Sequence, residues 1–282
     1  NKILLVELGP GDGTLCKDLI KTFKKFKDFY NSLEINLFEI SNKLKKIQKI
    51  KINSKKVKWI KKIEEINYGP VIFFGNEFFD ALPIKQICKK KNNFFEKYVA
   101  LTTNEKNIKF LHKKANNNLI KCIKDLNLIS IGDTIEYPLE ALKFLKQISK
   151  KINKFDGGLL TIDYGYTLKK NQNTLQAVKK HNYSDIFFKP GHSDITSHIN
   201  FKLFSKSLSE DNLAVKKITT QSEFLKKVGI LERADILSKK MTFKEKANMF
   251  YRLKRLIDPK EMGDRFKVIF AQKKDKIFSL GF

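Results

Sequence analysis

The sequence predicts an α/β fold, Rossmann-like with a mostly parallel sheet, from two observations. Short apolar runs alternate with helix-spaced apolar residues through the first quarter of the 282-residue chain, and the first run leads straight into a glycine-rich turn. Strand, helix and strand repeated in that order require crossover connections, and crossovers within one sheet make it parallel.

Ile3-Leu4-Leu5-Val6 is a buried-strand run, and Leu15, Leu19, Ile20, Phe23 and Phe26 recur at helical spacing, predicting a helix over 15–29. Ile35 to Ile40 is strand-like. Leu44, Ile47 and Gln48 belong to another helix, and its lysines from Lys43 to Lys51 suit a solvated face. A third strand fits Val57 to Ile60. Pro70 to Asn76 is a fourth, continuously apolar and so expected to be buried on both faces. Beyond Pro83, short extended segments at 84–88, 94–101 and 108–111, separated by Lys/Asn turns, predict an inserted antiparallel β-element. A helix over 139–152 precedes a strong strand at 158–163. The stretch 164–201 reads as long, polar and irregular, rich in His, Gly and Pro, a composition typical of functional segments. A helix near 201–208, a strand near 213–218, helices over 221–255 and a last strand at 266–273 complete one domain over 1–282, with insertions at roughly 84–137 and 164–212.

Composition bounds the function. The 57 Lys+Arg against 30 Asp+Glu give a formal charge of +27, which on its own suggests nucleic acid. Yet the chain holds 53 Lys and only 4 Arg, whereas phosphate and guanine recognition favours the arginine fork. Lys, Asn, Ile and Phe, the residues with the most A/T-rich codons, make 130 of the 282 positions, so much of the charge reads as base composition and nucleic acid is disfavoured. Hydrophobic residues at 41% suffice for a core, and no apolar run approaches the roughly 18 residues of a membrane span. Three scattered cysteines, Cys16, Cys88 and Cys122, make no disulfide framework and suit a reducing compartment. No leader pattern is visible, which points to a bacterial cytoplasm, or to the mitochondrial matrix in a eukaryote.

Chemistry concentrates at three places. Glu7-Leu8-Gly9-Pro10-Gly11-Asp12-Gly13 follows the first strand as E-x-G-x-G-x-G. The glycines let the backbone turn tightly and approach a ligand. A dinucleotide turn would place its third glycine where Thr14 stands, so the spacing favours the nucleoside turn of S-adenosylmethionine (SAM) methyltransferases. Glu39 ends the second strand, where a carboxylate can accept both ribose hydroxyls. Asn76-Glu77-Phe78-Phe79-Asp80 leaves the fourth strand, placing Glu77 and Asp80 over the donor. Two carboxylates and two rings there could hold a guanidinium, although Asp80 could equally cap the next helix. Trp59 fits either adenine packing or the core. His192-Ser193-Asp194-Ile195-Thr196-Ser197-His198 lacks a zinc spacing, so no metal is expected. Asp194 and His198 better suit an acceptor channel, which Asp163 and Tyr164 could border.

ELGPGDGTL, FEIS with the following Gln48, NEFFDALP, the IDYG of Ile162 to Gly165, and TLQAVKKH through PGHSDITSHINF are similar, in order and spacing, to the MidA-like SAM-dependent methyltransferases, over Ile3 to about Gly229. The resemblance implies a class I SAM-dependent methyltransferase fold with a seven-stranded sheet, an inserted antiparallel β-element and a helical segment. It implies SAM bound by Glu7, Gly9, Gly11, Gly13, Glu39, Trp59 and Asn76, with Glu77 and Asp80 catalytic. Phe78, Phe79, Asp163, Tyr164, His192, Asp194 and His198 would then bind substrate. The implied activity is symmetric dimethylation of a protein arginine, on a respiratory complex I subunit or a bacterial equivalent. The sequence leaves the oligomeric state open, a homodimer included. The family carries a segment before the glycine strand that this sequence lacks, so activity of the chain as given is an open expectation. An RNA methyltransferase or a non-catalytic assembly chaperone would share the fold; the intact glycines and Glu39 favour an enzyme.

Overall fold

The computed structural model describes residues 2–91, 93–102, 107–128, 134–167, 173–179, 182–188, 190–276 and 278–282. The first quarter runs β1 (Ile3–Leu8), α1 (Thr14–Phe23), α2 (Lys27–Ser32), β2 (Leu33–Phe38), α3 (Asn42–Ile52), β3 (Val57–Ile60) and β4 (Val71–Asn76). There follow β5 (Lys85–Lys90), β6 (Asn93–Leu101), β7 (Ile108–Lys114), α4 (Asn117–Asp125), β8 (Thr134–Tyr137), α5 (Leu139–Phe155) and β9 (Gly157–Tyr166). Next come β10 (Gln176–Lys179), β11 (Asn182–Ser184), β12 (Asp194–Thr196), β13 (Ile199–Asn200), α6 (Phe201–Glu210), β14 (Leu213–Val215) and β15 (Thr219–Thr220). The chain closes with α7 (Gln221–Lys227), α8 (Ile230–Ser238), α9 (Phe243–Ile257), α10 (Met262–Arg265) and β16 (Phe266–Lys273).

Two compact units result. The first comprises Asn1–Phe78, Leu145–Gly165 and Phe204–Phe282, the second Phe79–Phe144 and Tyr166–Leu203. In the first, seven strands follow in the order β14-β16-β9-β4-β1-β2-β3. From β9 to β3 every pairing is parallel, as crossover connections demand, and β16 lies antiparallel to both β9 and β14. Leu5, Ile35, Leu37 and Val57 of the sheet pack with Cys16 and Ile20 of α1 and Ile52 of α3. Full burial of an aliphatic side chain of this size stabilises by roughly 1.5–3 kcal/mol over leaving it in water. At the carboxyl-terminal end α7 packs with α8, α9 and α10, and capping boxes at Thr220/Glu223 and Thr242/Glu245 satisfy the first amides of α7 and α9.

The second unit holds two antiparallel sheets, β7-β6-β5-β8 and β11-β10-β12. Ile87 of β5 and Ile135 and Tyr137 of β8 pack with Leu119 and Ile123 of α4. Glu136 gathers this unit: its carboxylate accepts from Gln86 Nε2, from Thr174 Oγ1 and from the amides of Thr174 and Leu175, tying the first sheet to the segment that leads into β10.

Three expectations are corrected. The helix expected over 15–29 is two, α1 and α2; the chain breaks at Phe26, which has φ −112° and ψ 80°, and Phe23 and Phe29 meet edge to face across the break at 5.1 Å. The fourth strand is not buried on both faces. Ile72 stays 37% exposed, and its side of β4 lines a cavity of about 430 Å³ with Leu160, Phe224, Phe270 and Phe282. The stretch 164–201 is not irregular throughout, since β10, β11 and β12 form a sheet; strands of three or four residues are too short for alternation to stand out.

Candidate functional site

The strand register brings the first group of predicted residues to one edge. Leu8 lies opposite both Phe38 and Gly75, and Asn76 opposite Ile162, so β2, β1 and β4 end nearly level, while β9 passes that level at Ile162 and Asp163 and runs on to Tyr166. Glu39, Gly9, Glu77 and Asp163 therefore follow one another along the carboxyl edge of the sheet, where open α/β folds bind their ligands.

The turn after β1 needs its glycines. Gly9 has φ +62°, and a Cβ there would sit 2.9 Å from the Phe78 ring; Gly13 has φ +84°, with Ile52 at 3.0 Å and Gln48 at 3.3 Å from such a Cβ. Around Gly11 the space is open, with nothing within 4 Å of where a Cβ would stand. Helix α3 braces this turn from behind. Ser41 caps it by accepting from the Leu44 amide, and residues 48, 51 and 52 then share a face. Gln48 Nε2 donates to the Gly11 carbonyl at 2.7 Å and to Glu39 Oε2 at 3.0 Å, while its Oε1 accepts from Trp59 Nε1 at 2.7 Å. Lys51 donates to Asp12 and to Thr14 Oγ1, holding the Asp12 carboxyl well below the usual range. The lysine-rich helix expected as a solvated face is thus only partly that. Its one wholly buried polar residue, Gln48, marks the other side, and the signal in sequence was a glutamine four residues before Ile52, at helical spacing with it.

Glu39 is buried, with Oε1 accepting from the Ser41 amide at 2.7 Å and Oε2 from Gln48. A carboxylate offers about four acceptor positions, so capacity remains for two hydroxyls. Glu7 is 4% exposed and its Oε2 has no hydrogen-bond partner among the described residues; burial pushes its pKa from 4.5 to about 7. Cys16 below it is pushed to about 12, first by burial and then by Glu7, so its thiol is unreactive. Trp59 packs on the β2 core with its indole N–H spent on Gln48 and Lys49 Nζ 5.5 Å from its ring.

Asn76 Nδ2 donates to Glu77 Oε1 at 3.2 Å. Glu77 has φ +53°, rare for a residue with a side chain, and its amide donates to the Ile162 carbonyl at 3.0 Å. Desolvation raises its pKa, with Asn76 pulling the other way, even though part of the side chain reaches solvent. Phe78 is buried against Gly9 and meets Phe38 edge to face at 6.0 Å. Asp163 is fully buried and accepts from the Tyr164 amide at 2.9 Å; the Tyr164 ring lies on Phe266 at 3.9 Å.

The second unit gathers the others. Phe79 and Asp80 are buried, and the Asp80 carbonyl accepts from the Ser197 amide at 3.0 Å. Asp80, Pro83, Leu175, Ile195 and Thr196 line a cavity of about 340 Å³. The His198 amide donates to Thr174 Oγ1 at 2.8 Å, Asp194 opens β12 opposite Val178, and His192 is exposed in the preceding loop. Among the described residues no three His, Cys, Asp or Glu side chains cluster as a metal site.

The turn at Gly9 to Gly13, with open space at Gly11, a buried carboxylate at Glu39 with acceptor positions to spare and a buried carboxylate oxygen at Glu7 without a partner among the described residues, would suit SAM. Comparison with known proteins agrees. The chain is similar to the protein arginine methyltransferase NDUFAF7, mitochondrial, of Danio rerio, at 28% identity over 93% of this chain and 67% of that protein. The Caenorhabditis elegans homologue is 32% identical over 81% of this chain and 58% of its own length, and the Homo sapiens protein 25% identical over 93% and 64%. The chain thus spans about two thirds of the length of the curated relatives it matches. Among solved structures, a Burkholderia thailandensis protein bound to S-adenosyl-homocysteine superposes with a TM-score of 0.82 at 22% identity, covering 100% of this chain and 74% of that one, and so shares the fold. Residues 1–219 match the family model described as S-adenosyl-L-methionine-dependent methyltransferase, and with the class I fold and a turn shaped for SAM the chain belongs to that family.

Proposed function

We propose that the chain is a protein arginine N-methyltransferase that dimethylates an arginine symmetrically, on a respiratory complex I subunit or a bacterial equivalent, in a reducing compartment. The observation that carries it is Glu77, a carboxylate at the carboxyl end of the central strand β4, with a raised pKa and a backbone conformation that few side chains tolerate. The names of the matched relatives support arginine as acceptor and the mitochondrion as one setting.

When bound, SAM supplies an electrophilic methyl group on a sulfonium. Glu39 would hold the ribose hydroxyls, the turn at Gly9 to Gly13 would carry the backbone contacts, and Glu7 and Asn76 would face the amino-acid end. An acceptor guanidinium is protonated at neutral pH. Its attacking nitrogen must lose a proton as the N–CH₃ bond forms and the S–CH₃ bond breaks, and Glu77 is the group given that proton. Raised pKa values suit a carboxylate to this work, which general acid–base groups accelerate by about 10²–10⁴-fold. Asp80, three residues on, is given the orientation of the guanidinium. His192, Asp194, His198, Asp163 and Tyr164 serve acceptor binding in this reading, together with Phe78 and Phe79.

The test is methylation of a recombinant complex I subunit by Glu77→Gln and Asp80→Asn variants, read by mass spectrometry of methylarginine, alongside calorimetry with S-adenosylhomocysteine. Rates should fall about 10²-fold or more with affinity for S-adenosylhomocysteine preserved. Near-normal rates in both variants would remove the two carboxylates from the mechanism, and methylation of RNA instead of protein would overturn the acceptor.

A further inference from the structure

The donor site is made of two parts from different places in the sequence, the turn at Gly9 to Gly13 and the carboxylate of Glu39. Gln48 touches both. Gln48 is completely buried, and each of its polar atoms is used: Nε2 reaches the Gly11 carbonyl and Glu39 Oε2, and Oε1 receives Trp59 Nε1. Its Cγ also lies 3.3 Å from where a Gly13 Cβ would be, so the stem of the side chain supports the turn that its amide holds.

Burying an amide is costly unless its partners are present, so the side chain is fixed in this orientation only while all three stay in place. Glu39 must keep one lobe of Oε2 toward Nε2 and one of Oε1 toward the Ser41 amide, which leaves about two of its acceptor positions for other donors. Gly11 must keep its carbonyl turned inward, which turns the neighbouring peptide amides away from Gln48. A shift at either end breaks a hydrogen bond inside the protein, where no water replaces it.

We propose that Gln48 is a positioning residue that makes the glycine turn and the ribose carboxylate one cooperative donor site, and that through it Trp59 responds to occupancy of that site. The inference rests on the placement of the donor at Gly9 to Gly13 and Glu39. Its consequence is specific: Trp59 is the only tryptophan of the chain, and its indole N–H is bonded to the same amide that grips the site. Closing Glu39 on a ribose and the turn on an amino-acid moiety tightens Gln48 and polarises the Trp59 hydrogen bond without any contact between indole and ligand.

The experiment titrates S-adenosylhomocysteine into the wild-type chain and into Gln48→Met and Gln48→Asn variants, following heat and tryptophan emission together, with urea unfolding as the check on folding. Gln48→Met keeps length and loses every hydrogen bond; Gln48→Asn keeps the amide but falls one methylene short, so that a folded protein is available if the apolar variant fails. Wild type should bind with a shift in emission. The variants should bind roughly tenfold or more weakly, the scale of losing a hydrogen bond to a charged partner, with the emission response abolished. Binding within about twofold of wild type by a folded variant overturns the inference alone. An emission shift that survives in Gln48→Met also overturns it, since the ligand would then be acting on Trp59 directly. Absence of binding by the wild-type chain overturns the donor placement, and the relay with it.

Discussion

The two compact units solve different problems with different means. In the first, the proposed donor site is largely backbone: glycine φ angles, the level ends of β1, β2 and β4 and the carbonyl of Gly11, backed by a few buried side chains. In the second, the predicted acceptor residues stand on short antiparallel strands and loops, held by side-chain hubs such as Glu136. A site that binds one invariant cofactor can be written into local geometry, whereas a site for a particular protein is written in loops that tolerate change.

The comparison breaks most readily at Glu7. Its pKa lies near 7 in the fold and near 4.5 outside it. Below pH 4.5 the group is protonated in both states and costs nothing. Above pH 7 it is ionised in both, and the fold carries a buried charge. Stability should therefore decline as pH rises through this window, by roughly 2–3 kcal/mol between pH 5 and pH 8, because a gap of one pH unit between the folded and unfolded pKa is worth about 1.4 kcal/mol. Urea unfolding at the two pH values should show this slope in wild type and lose it in Glu7→Gln; equal slopes would mean that water reaches the carboxylate. Next in size is Gly9→Ala. The left-handed backbone and the Phe78 ring together should cost about 1–3 kcal/mol and weaken S-adenosylhomocysteine binding at least tenfold, measured by calorimetry. Smallest is a change confined to the second unit. Asn116 caps α4 by accepting from the Leu119 amide at 2.7 Å, and Asn116→Ala should lower stability by about 1 kcal/mol while leaving that affinity untouched. A loss of affinity there would show that the donor site depends on both units.

What is legible in the sequence follows the same division. The alternation of Ile3 to Val6 and Ile35 to Phe38 with helical spacings is strong because strands buried in a parallel sheet must be largely apolar, and the glycines are unmistakable because no other residue takes their φ cheaply. The three-stranded sheet at β10 to β12 is silent in the sequence because its strands are half-exposed and three or four residues long, and α4 because Leu119 and Ile123 are its only buried residues. The break at Phe26 is hidden because Phe26 continues the helical spacing while its ring stays exposed. Gln48 is visible as a residue but not as a brace, since a buried amide's three partners come from Gly11, Glu39 and Trp59, each on a different element or turn.

Glu77 adds one more consequence. Its φ of +53° is a conformation that glycine or asparagine would occupy at lower cost, by about 1–2 kcal/mol for a residue with a full side chain. Random variation screened only for heat resistance would tend to replace it, and under the proposed role of Glu77 the proteins so selected would be sturdier and inert. On that proposal, keeping a glutamate there requires selection for turnover itself, which makes position 77 a place where thermal tolerance and chemistry can be pulled apart with a single codon.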